Sequence, residues 1–386
     1  MKIVHVISSI DPAQGGPQGG CVRLAAAQSA LGHDVHIVSY GGTEIQKRAF
    51  QSAAEVPHFS QIRWHLLPDP DRVERVLCLK GSAQLRSVLR DASFVHVHGV
   101  WEPILKNAAS IAKQYYIPYC TEPHGMLDVW SMKQKRLKKR LALLLGYRKM
   151  LDGAEFTLAL NADEARLLEP LRLKTPILVI PNGIFLEEFA VLPEKGFFRE
   201  RMPELDEKRV ILFLSRLHTK KGLDILAMAF VRLAKSHPQV DLVVVGPDGG
   251  ARAGFASLVH QLGIEDRVHL TGPLYGEDKL RAFVDASCFC LPSRQEGFSV
   301  AITEALACGL PPVISDACHF PEVGTANAGI VVSLDPAEVA SALAYVLDNP
   351  AMASIMGKNG QRLVRENYTW PRIAELTIQG YVSGCT

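Results

Sequence analysis

Ser293-Arg-Gln-Glu-Gly-Phe-Ser-Val-Ala-Ile-Thr-Glu-Ala-Leu-Ala-Cys-Gly-Leu-Pro-Pro312 couples a strand end, a helix start and two glutamates at a fixed spacing. The apolar run Cys288 to Leu291 before it reads as a short buried strand that Pro292 ends. The pattern after it predicts a helix from about Ser299 to Cys308, closed by Gly309 with Pro311 beyond. Backbone N–H groups of Gly297, Phe298 and Ser299 would then stand unpaired at a positive helix end, where they can hold a phosphate. Glu296 precedes the helix in the loop, and Glu304 lies roughly one and a half turns inside it. A carboxylate accepts two hydroxyl hydrogen bonds at once, which suits the hydroxyl pair of a ribose, and a second carboxylate can hold the hydroxyls of an attached sugar. Taken alone, two glutamates eight apart fit solvated surface charges better than a binding site.

Outward from this stretch, short β-branched runs alternate with helical patterns, the signature of parallel sheets built from strand-helix-strand units. A first series includes Lys2 to Ser8, Asp34 to Ser39, Phe94 to His98, Pro118 to Thr121, Phe156 to Leu160 and Ile177 to Ile180. A second includes Val210 to Ser215, Asp241 to Val245, Val268 to Thr271, Cys288 to Leu291, Pro312 to Ser315 and Gly329 to Val332. The expected fold is therefore α/β, with a domain at 1–190, another at 191–368, and a terminal helix in 369–386. Pro181-Asn-Gly183 closes the first series, and the polar stretch Glu187 to Lys208 is the natural linker. Ligands of open parallel sheets sit beyond the carboxyl ends of the strands. There, after Val210 to Leu214, Arg216 and Lys221 lie five residues apart around a helix start. Two cations suit a diphosphate, because they stabilise the charge that accumulates on it when a nucleotide-sugar bond breaks.

The chain has 386 residues, 48% of them hydrophobic and 21% charged, enough for two cores. A net charge of +2 gives no general attraction to nucleic acid. The eight cysteines, at 21, 78, 120, 288, 290, 308, 318 and 385, have no metal-ligand spacing and are expected to stay reduced. The N-terminal apolar run is too short for a signal peptide and no run of about 18 apolar residues occurs, so a cytoplasmic protein is expected.

The glutamate stretch resembles the Glu-x7-Glu motif of the retaining glycosyltransferases of family 4. The match extends through Glu-Ala-Leu-Ala-x-Gly-x-Pro, Val313-Ile-Ser315 and Phe320-Pro-Glu-Val323. Ser299 stands where many members have a second glycine. The resemblance covers nearly the whole chain and is strongest from Val210 to Val323. It implies the GT-B fold, two Rossmann-like domains facing across a cleft, with the last helix, near Trp370 to Val382, crossing back to the first domain.

The same resemblance makes Arg216 and Lys221, in Ser-Arg-x4-Lys-Gly, the diphosphate-binding cations, and Glu296 a catalytic-site residue. Gly16, Gly246, Gly297, Phe298, Ser299 and Glu304 would bind the donor, with Gly246-Pro-Asp-Gly-Gly250 either a nucleotide loop or a simple turn. Gly15-Gly-Pro-Gln-Gly-Gly20, before a helix beginning near Val22, would place Gly15 and Gly16 in the wall between donor and acceptor. His124, in Glu122-Pro-His-Gly-Met126, matches the family histidine that contacts the transferred sugar. His96 and His98 are expected on opposite faces of a strand and so form no metal site. His98 lines the acceptor pocket or is structural, and Trp101 stacks on an acceptor sugar or fills the core.

Asp69-Pro-Asp71 looks like a metal-binding Asp-x-Asp, but the two-cation site argues against a catalytic metal, and no cofactor is expected. Retention through a same-face transfer, in which the departing phosphate helps deprotonate the acceptor, is what the resemblance implies; a double displacement is the other route. Between Lys133 and Lys149 lie eight basic residues and no acidic one, with Leu137, Leu141, Leu144 and Leu145 at helical spacing. This reads as a basic amphipathic helix that contacts an anionic membrane carrying a lipid-linked acceptor, packs its leucines into the first domain beneath a solvated face, or forms a basic rim for an anionic acceptor. The expected reaction is metal-independent sugar transfer, from a UDP- or GDP-sugar to a glycan or lipid-linked glycan, in polysaccharide biosynthesis. A nucleotide-sugar epimerase and a non-catalytic glycan-binding protein are the alternatives.

Overall fold

In the computed structural model of this chain, which describes residues 1–127, 131–132 and 134–383, the alternating pattern becomes two parallel sheets. The first contains β1 (Lys2–Ser9), β2 (Asp34–Tyr40), β3 (Arg63–Leu67), β4 (Phe94–His98), β5 (Tyr119–Glu122), β6 (Phe156–Ala159) and β7 (Ile177–Val179). Their order is β3-β2-β1-β4-β5-β6-β7. The second contains β8 (Arg209–Leu214), β9 (Val240–Val245), β10 (Val268–Gly272), β11 (Cys288–Leu291), β12 (Pro312–Ser315) and β13 (Ile330–Val332), ordered β10-β9-β8-β11-β12-β13. Each order reverses once, between β1 and β4 and between β8 and β11. At such a reversal the loops leave in opposite directions and open a crevice at the strand ends.

The chain divides into two compact units. Unit 1 is residues 1–185 with the segment from Thr369, and unit 2 is Leu186–Tyr368. In unit 1, Val4, Val6, Val95 and Val97 enter one apolar cluster with Ile104, Leu105 and Ala108 of the helix Pro103–Gln114. Side chains alternate along a strand, so His5, His96 and His98 emerge on the other side of the same sheet. The terminal helix Trp370–Ser383 packs against the helix Gly16–Ala30. The Trp370 N–H donates to the Ile184 carbonyl at 3.0 Å, and Tyr381 is fully buried.

Four expectations are corrected. Strand β3 was absent from the first series, because Arg63-Trp-His-Leu-Leu67 is a half-buried edge strand without a continuous apolar run. The first helix begins at Gly16 rather than near Val22, since Pro17 fits a first turn, where its missing N–H leaves no bond unmade. The segment 187–208 is not a bare linker: Phe198 and Leu205 are buried, and Asp285 accepts from the N–H groups of Gly196 and Phe198 at 2.6 and 2.9 Å.

The basic segment 133–149, whose first residue lies outside the described residues, is not one helix. A helix over Arg136–Ala142 breaks at Leu145 and Gly146, where Gly146 takes φ 106°, and a short helix resumes at Arg148–Asp152. Leu137, Leu141, Leu144 and Leu145 do not pack inward. Leu137 and Leu144 are 81% and 84% exposed.

Candidate active site

At the strand-order reversal of unit 2, the loop after β8 carries Arg216 and Lys221 and the loop after β11 carries Glu296. Gly222, at φ 68°, lets the two loops meet: a Cβ there would lie 1.8 Å from the Pro292 carbonyl oxygen. The Lys220 carbonyl accepts from the Arg294 N–H at 2.6 Å and from Ser293 Oγ at 3.0 Å. This stitching brings Lys221 Nζ to 2.6 and 2.7 Å from the two oxygens of Glu296. Both are largely shielded, so the pair is a strong charge-assisted contact.

Arg216 is exposed, and its aliphatic stem lies beside Gly249, where a Cβ would come within 2.8 Å of its Cγ. Burial first, then the charges of Arg216, Lys220 and Lys221, pull the His218 pKa down, so this imidazole adds no further cation to the loop. Gly246, at φ 149°, passes so close to the Ser215 carbonyl oxygen that a Cβ would sit 1.9 Å away. Within its loop, Asp248 Oδ1 accepts from the Gly250 N–H at 2.7 Å, and Leu217 bridges to Asp248.

The helix predicted from Ser299 to Cys308 spans Val300–Ala307, with Ser299 and Cys308 as its caps and Gly309 at φ 71° beyond. Ser299 makes no side-chain capping bond. The backbone N–H groups of Phe298 and Ser299 donate to no described residue, whereas Gly297 has a partner of its own. Phe298 packs on Phe320 and Tyr368, with ring centroids 5.7 and 6.0 Å away. Glu304 pairs with Lys279, Nζ to Oε1 2.7 Å. Lys279, on the helix Gly276–Asp285, escaped the sequence reading, since a lysine at a helical position in an exposed-looking run carries no local signal. Arg294 was also unassigned; it is held by Asp224 at 2.6 and 2.8 Å, and that bond lowers the Asp224 pKa.

In unit 1, Gly15 takes φ 127° and Gly16 opens the first helix; nothing lies within 4 Å of a Cβ at either, so the backbone there is open to a neighbour. The expectation for His96 and His98 is overturned. Two residues apart on a strand, they share a face, and their rings stack with centroids 4.0 Å apart. His98 is buried, with Nε2 2.9 Å from His5 Nδ1 and Nδ1 3.1 Å from Glu122. His124 Nδ1 lies 3.3 Å from Glu122 and its Nε2 3.2 Å from His98. Two triads, His5-His96-His98 and His98-Glu122-His124, each bring their donor atoms within 4.8 Å, a separation a cation can use.

Trp101 is half-buried between the Lys139 ammonium, 5.1 Å from its ring centroid, and Tyr147, so one face is already covered. Asp69 and Asp71 serve the backbone, accepting from the Gly42 and Glu74 N–H groups at 3.0 and 2.8 Å. The described cysteines are all free thiols, and Cys385 lies outside the described residues.

Residues 15–183 match the "Glycosyl transferase 4-like domain" and residues 194–363 match "Glycosyl transferases group 1". The chain is similar to D-inositol 3-phosphate glycosyltransferase of Kineococcus radiotolerans, 28% identical over 70% of this chain and 67% of that protein. Among the curated relatives it matches, the alignments span about half to two thirds of their length. In structure it resembles sucrose-phosphate synthase of Thermosynechococcus elongatus, with 20% identity, TM-score 0.77, and coverage of 99% of this chain and 98% of that one. It also resembles Anabaena HepE in complex with UDP-glucose, with 17% identity, TM-score 0.77, and coverage of 99% and 100%. This protein belongs to the group 1 glycosyltransferases, of the family 4 type, and has the GT-B fold class.

Proposed function

We propose that the chain transfers a sugar, with retention and without a catalytic metal, from a nucleoside-diphosphate sugar to a glycan or lipid-linked glycan acceptor in polysaccharide biosynthesis. The observation that carries this is the Lys221–Glu296 pair beside Arg216 at the strand-order reversal, next to the N-terminus of the helix Val300–Ala307. An incoming diphosphate competes with Glu296 for Lys221, which frees the carboxylate for sugar hydroxyls. Arg216 and Lys221 then face the charge that grows on the leaving diphosphate, more strongly in the transition state than in the ground state. Glu304 takes the ribose hydroxyls once it shares or gives up Lys279. The departing phosphate accepts the acceptor proton on the same face. UDP- and GDP-sugars are the donors to try first; the UDP-glucose complex of a chain with the same fold supports beginning with UDP.

Exposed Leu137, Leu141, Leu144 and Leu145 beside Arg136, Lys138, Lys139 and Arg140 fit an anionic membrane surface, the cytoplasmic face where a lipid-linked acceptor would be met. No single described helix is long and apolar enough to cross a membrane.

The test is release of nucleoside diphosphate from UDP-, GDP- and ADP-sugars, with and without lipid-linked and free glycan acceptors, with Glu304→Ala as control and chelator added in parallel. Release that rises with acceptor, survives chelation and disappears in the variant, with product of the donor's anomeric configuration, is expected. A donor whose sugar changes configuration without acceptor would instead select the epimerase.

A further inference from the structure

The loop that carries His124 is held from a side that the transfer reading leaves unused. Pro123 to Met126 form a tight turn, with the Met126 N–H donating to the Pro123 carbonyl at 3.0 Å. Its two central residues, His124 and Gly125, both take positive φ, 52° and 72°. Two positive φ values in succession belong to the mirror-image class of turn, which glycine and asparagine fill readily and a larger side chain does not. A histidine persists in that conformation only where its surroundings over-determine it.

One of those surroundings is the imidazole's own contact with Glu122, at 3.3 Å. The other is Glu164, a buried carboxylate on the short helix Ala162–Leu168. Glu164 Oε1 accepts from the Gly125 N–H at 2.6 Å, and Oε2 accepts from the Leu160 N–H at 2.7 Å. Asn161 caps this helix, its Oδ1 accepting from the Glu164 N–H at 2.7 Å. Asn161 and Glu164 thus have the spacing of a capping box, in which the carboxylate returns to the N–H of the capping residue. Here it reaches one residue further back, to Leu160 just after β6, and gives its other oxygen to the loop after β5.

The two bonds do different work. Leu160 lies four residues before Glu164, so that bond closes the start of a helix that Asn161 already caps. Gly125 lies 39 residues away and belongs to the turn that presents His124. A bond from a backbone N–H to a buried carboxylate is short and strong, and it fixes the peptide plane between His124 and Gly125. We propose that Glu164 is a positioning residue for His124. Its hold on the Gly125 N–H keeps the turn in the conformation that directs the imidazole onto Glu122 and His98, and so governs the rate of transfer more than the affinity for donor.

The kinetic part rests on the transferase reading; the hold on the turn does not. Glu164→Asp, shorter by one methylene, still reaches the helix start but no longer Gly125. Amide hydrogen exchange of the full chain, read by nuclear magnetic resonance, should find Gly125 protected in the native chain. In the variant it should exchange on the order of 10- to 100-fold faster, the consequence of losing a bond to a charged group, with Leu160 little changed. Gly125 exchange that the variant leaves untouched overturns the hold. Should Glu164→Asp fail to fold, Glu164→Gln carries the test, because its amide offers one acceptor to two donors. There kcat should follow Gly125, kept where its N–H stays protected and lost where it is freed, and the opposite pattern overturns the proposal.

In donor turnover, Glu164→Asp should lower kcat by up to about 10²-fold with little change in donor KM, the cost of displacing a functional group by about 1 Å. In a His124→Ala background there is no imidazole left to orient, so Glu164→Asp should lower kcat no further. Losses that add in the double variant, or an unchanged kcat once Gly125 is freed, overturn the positioning role. A native chain that turns over no donor, yet whose Gly125 is freed by Glu164→Asp, sinks the transferase reading and leaves the hold on the turn standing.

Discussion

The charged groups of the two units are arranged on opposite principles. In unit 2, Lys221–Glu296 and Lys279–Glu304 are separate two-member pairs, each with a flexible lysine that retains some solvent access. In unit 1, Glu122 and four histidines are almost wholly buried and bonded in a chain that runs on through Gln28 to Thr377 and Tyr381. A pair that must exchange its partner for a ligand works near solvent, because the desolvation cost of the open state stays small. A network that must hold one geometry works in the interior, where a misplaced proton is expensive. The difference suits partner exchange in unit 2 and a fixed geometry in unit 1.

The contrast can be broken most sharply at Lys221. Lys221→Ala should reduce donor turnover on the order of 10²- to 10³-fold, as loss of a preorganised charge partner does, and should also lower Tm, because it leaves the shielded Glu296 carboxylate without its partner. Calorimetric melting beside nucleoside-diphosphate release would check both. A large loss of stability with turnover intact would make the pair structural.

The next effect belongs to unit 1 and to pH. His5, His96 and His98 have folded pKa values near 3, 4 and 3, below the ordinary 6.5. The unfolded chain therefore binds more protons below about pH 6.5. Stability should be fully present above that value and fall as pH drops toward 4, by up to about 4 kcal/mol per pH unit for three protons. Denaturant midpoints across this range should show the slope, and a His96→Asn chain should lose about a third of it.

Backbone closeness comes third. Gly222→Ala sets a Cβ 1.8 Å from the Pro292 oxygen at φ 68° and should cost about 1–3 kcal/mol, lowering Tm and turnover together. A melting curve identical to that of the native chain would show that the two loops can part freely.

Smallest is Lys279→Ala. Its pairing with Glu304 is mostly shielded and contributes on the order of 1 kcal/mol to stability, so the larger expected change is in donor affinity. Isothermal titration with nucleoside diphosphate would read it directly.

Much of the fold was legible because strands of a parallel sheet advertise themselves locally. Cys288–Leu291 and Pro312–Ser315 lie where their apolar runs and flanking prolines put them, and Phe94–His98 likewise. Arg63–Leu67 was not legible, since an edge strand needs no continuous apolar run. The glycines of 15–20 hid a helix, because tertiary packing outweighs poor propensity. Of the site, Arg216, Lys221, Glu296 and Glu304 were named from their spacing together with the family resemblance, whereas Lys279 was invisible. His96 and His98 were set on opposite faces although a spacing of two puts them on one.

The sequence by itself determined the strand–helix alternation, the two series of strands, and which side chains stand at the strand ends, because each follows from patterns a few residues long. It also carried the motif residues that mark the family. Only the tertiary structure decided the partners. Lys221 meets Glu296 across 75 residues and His96 meets Tyr381 across 285. Such pairings depend on sheet order and register, which are settled by the packing of whole elements, and no local pattern encodes them.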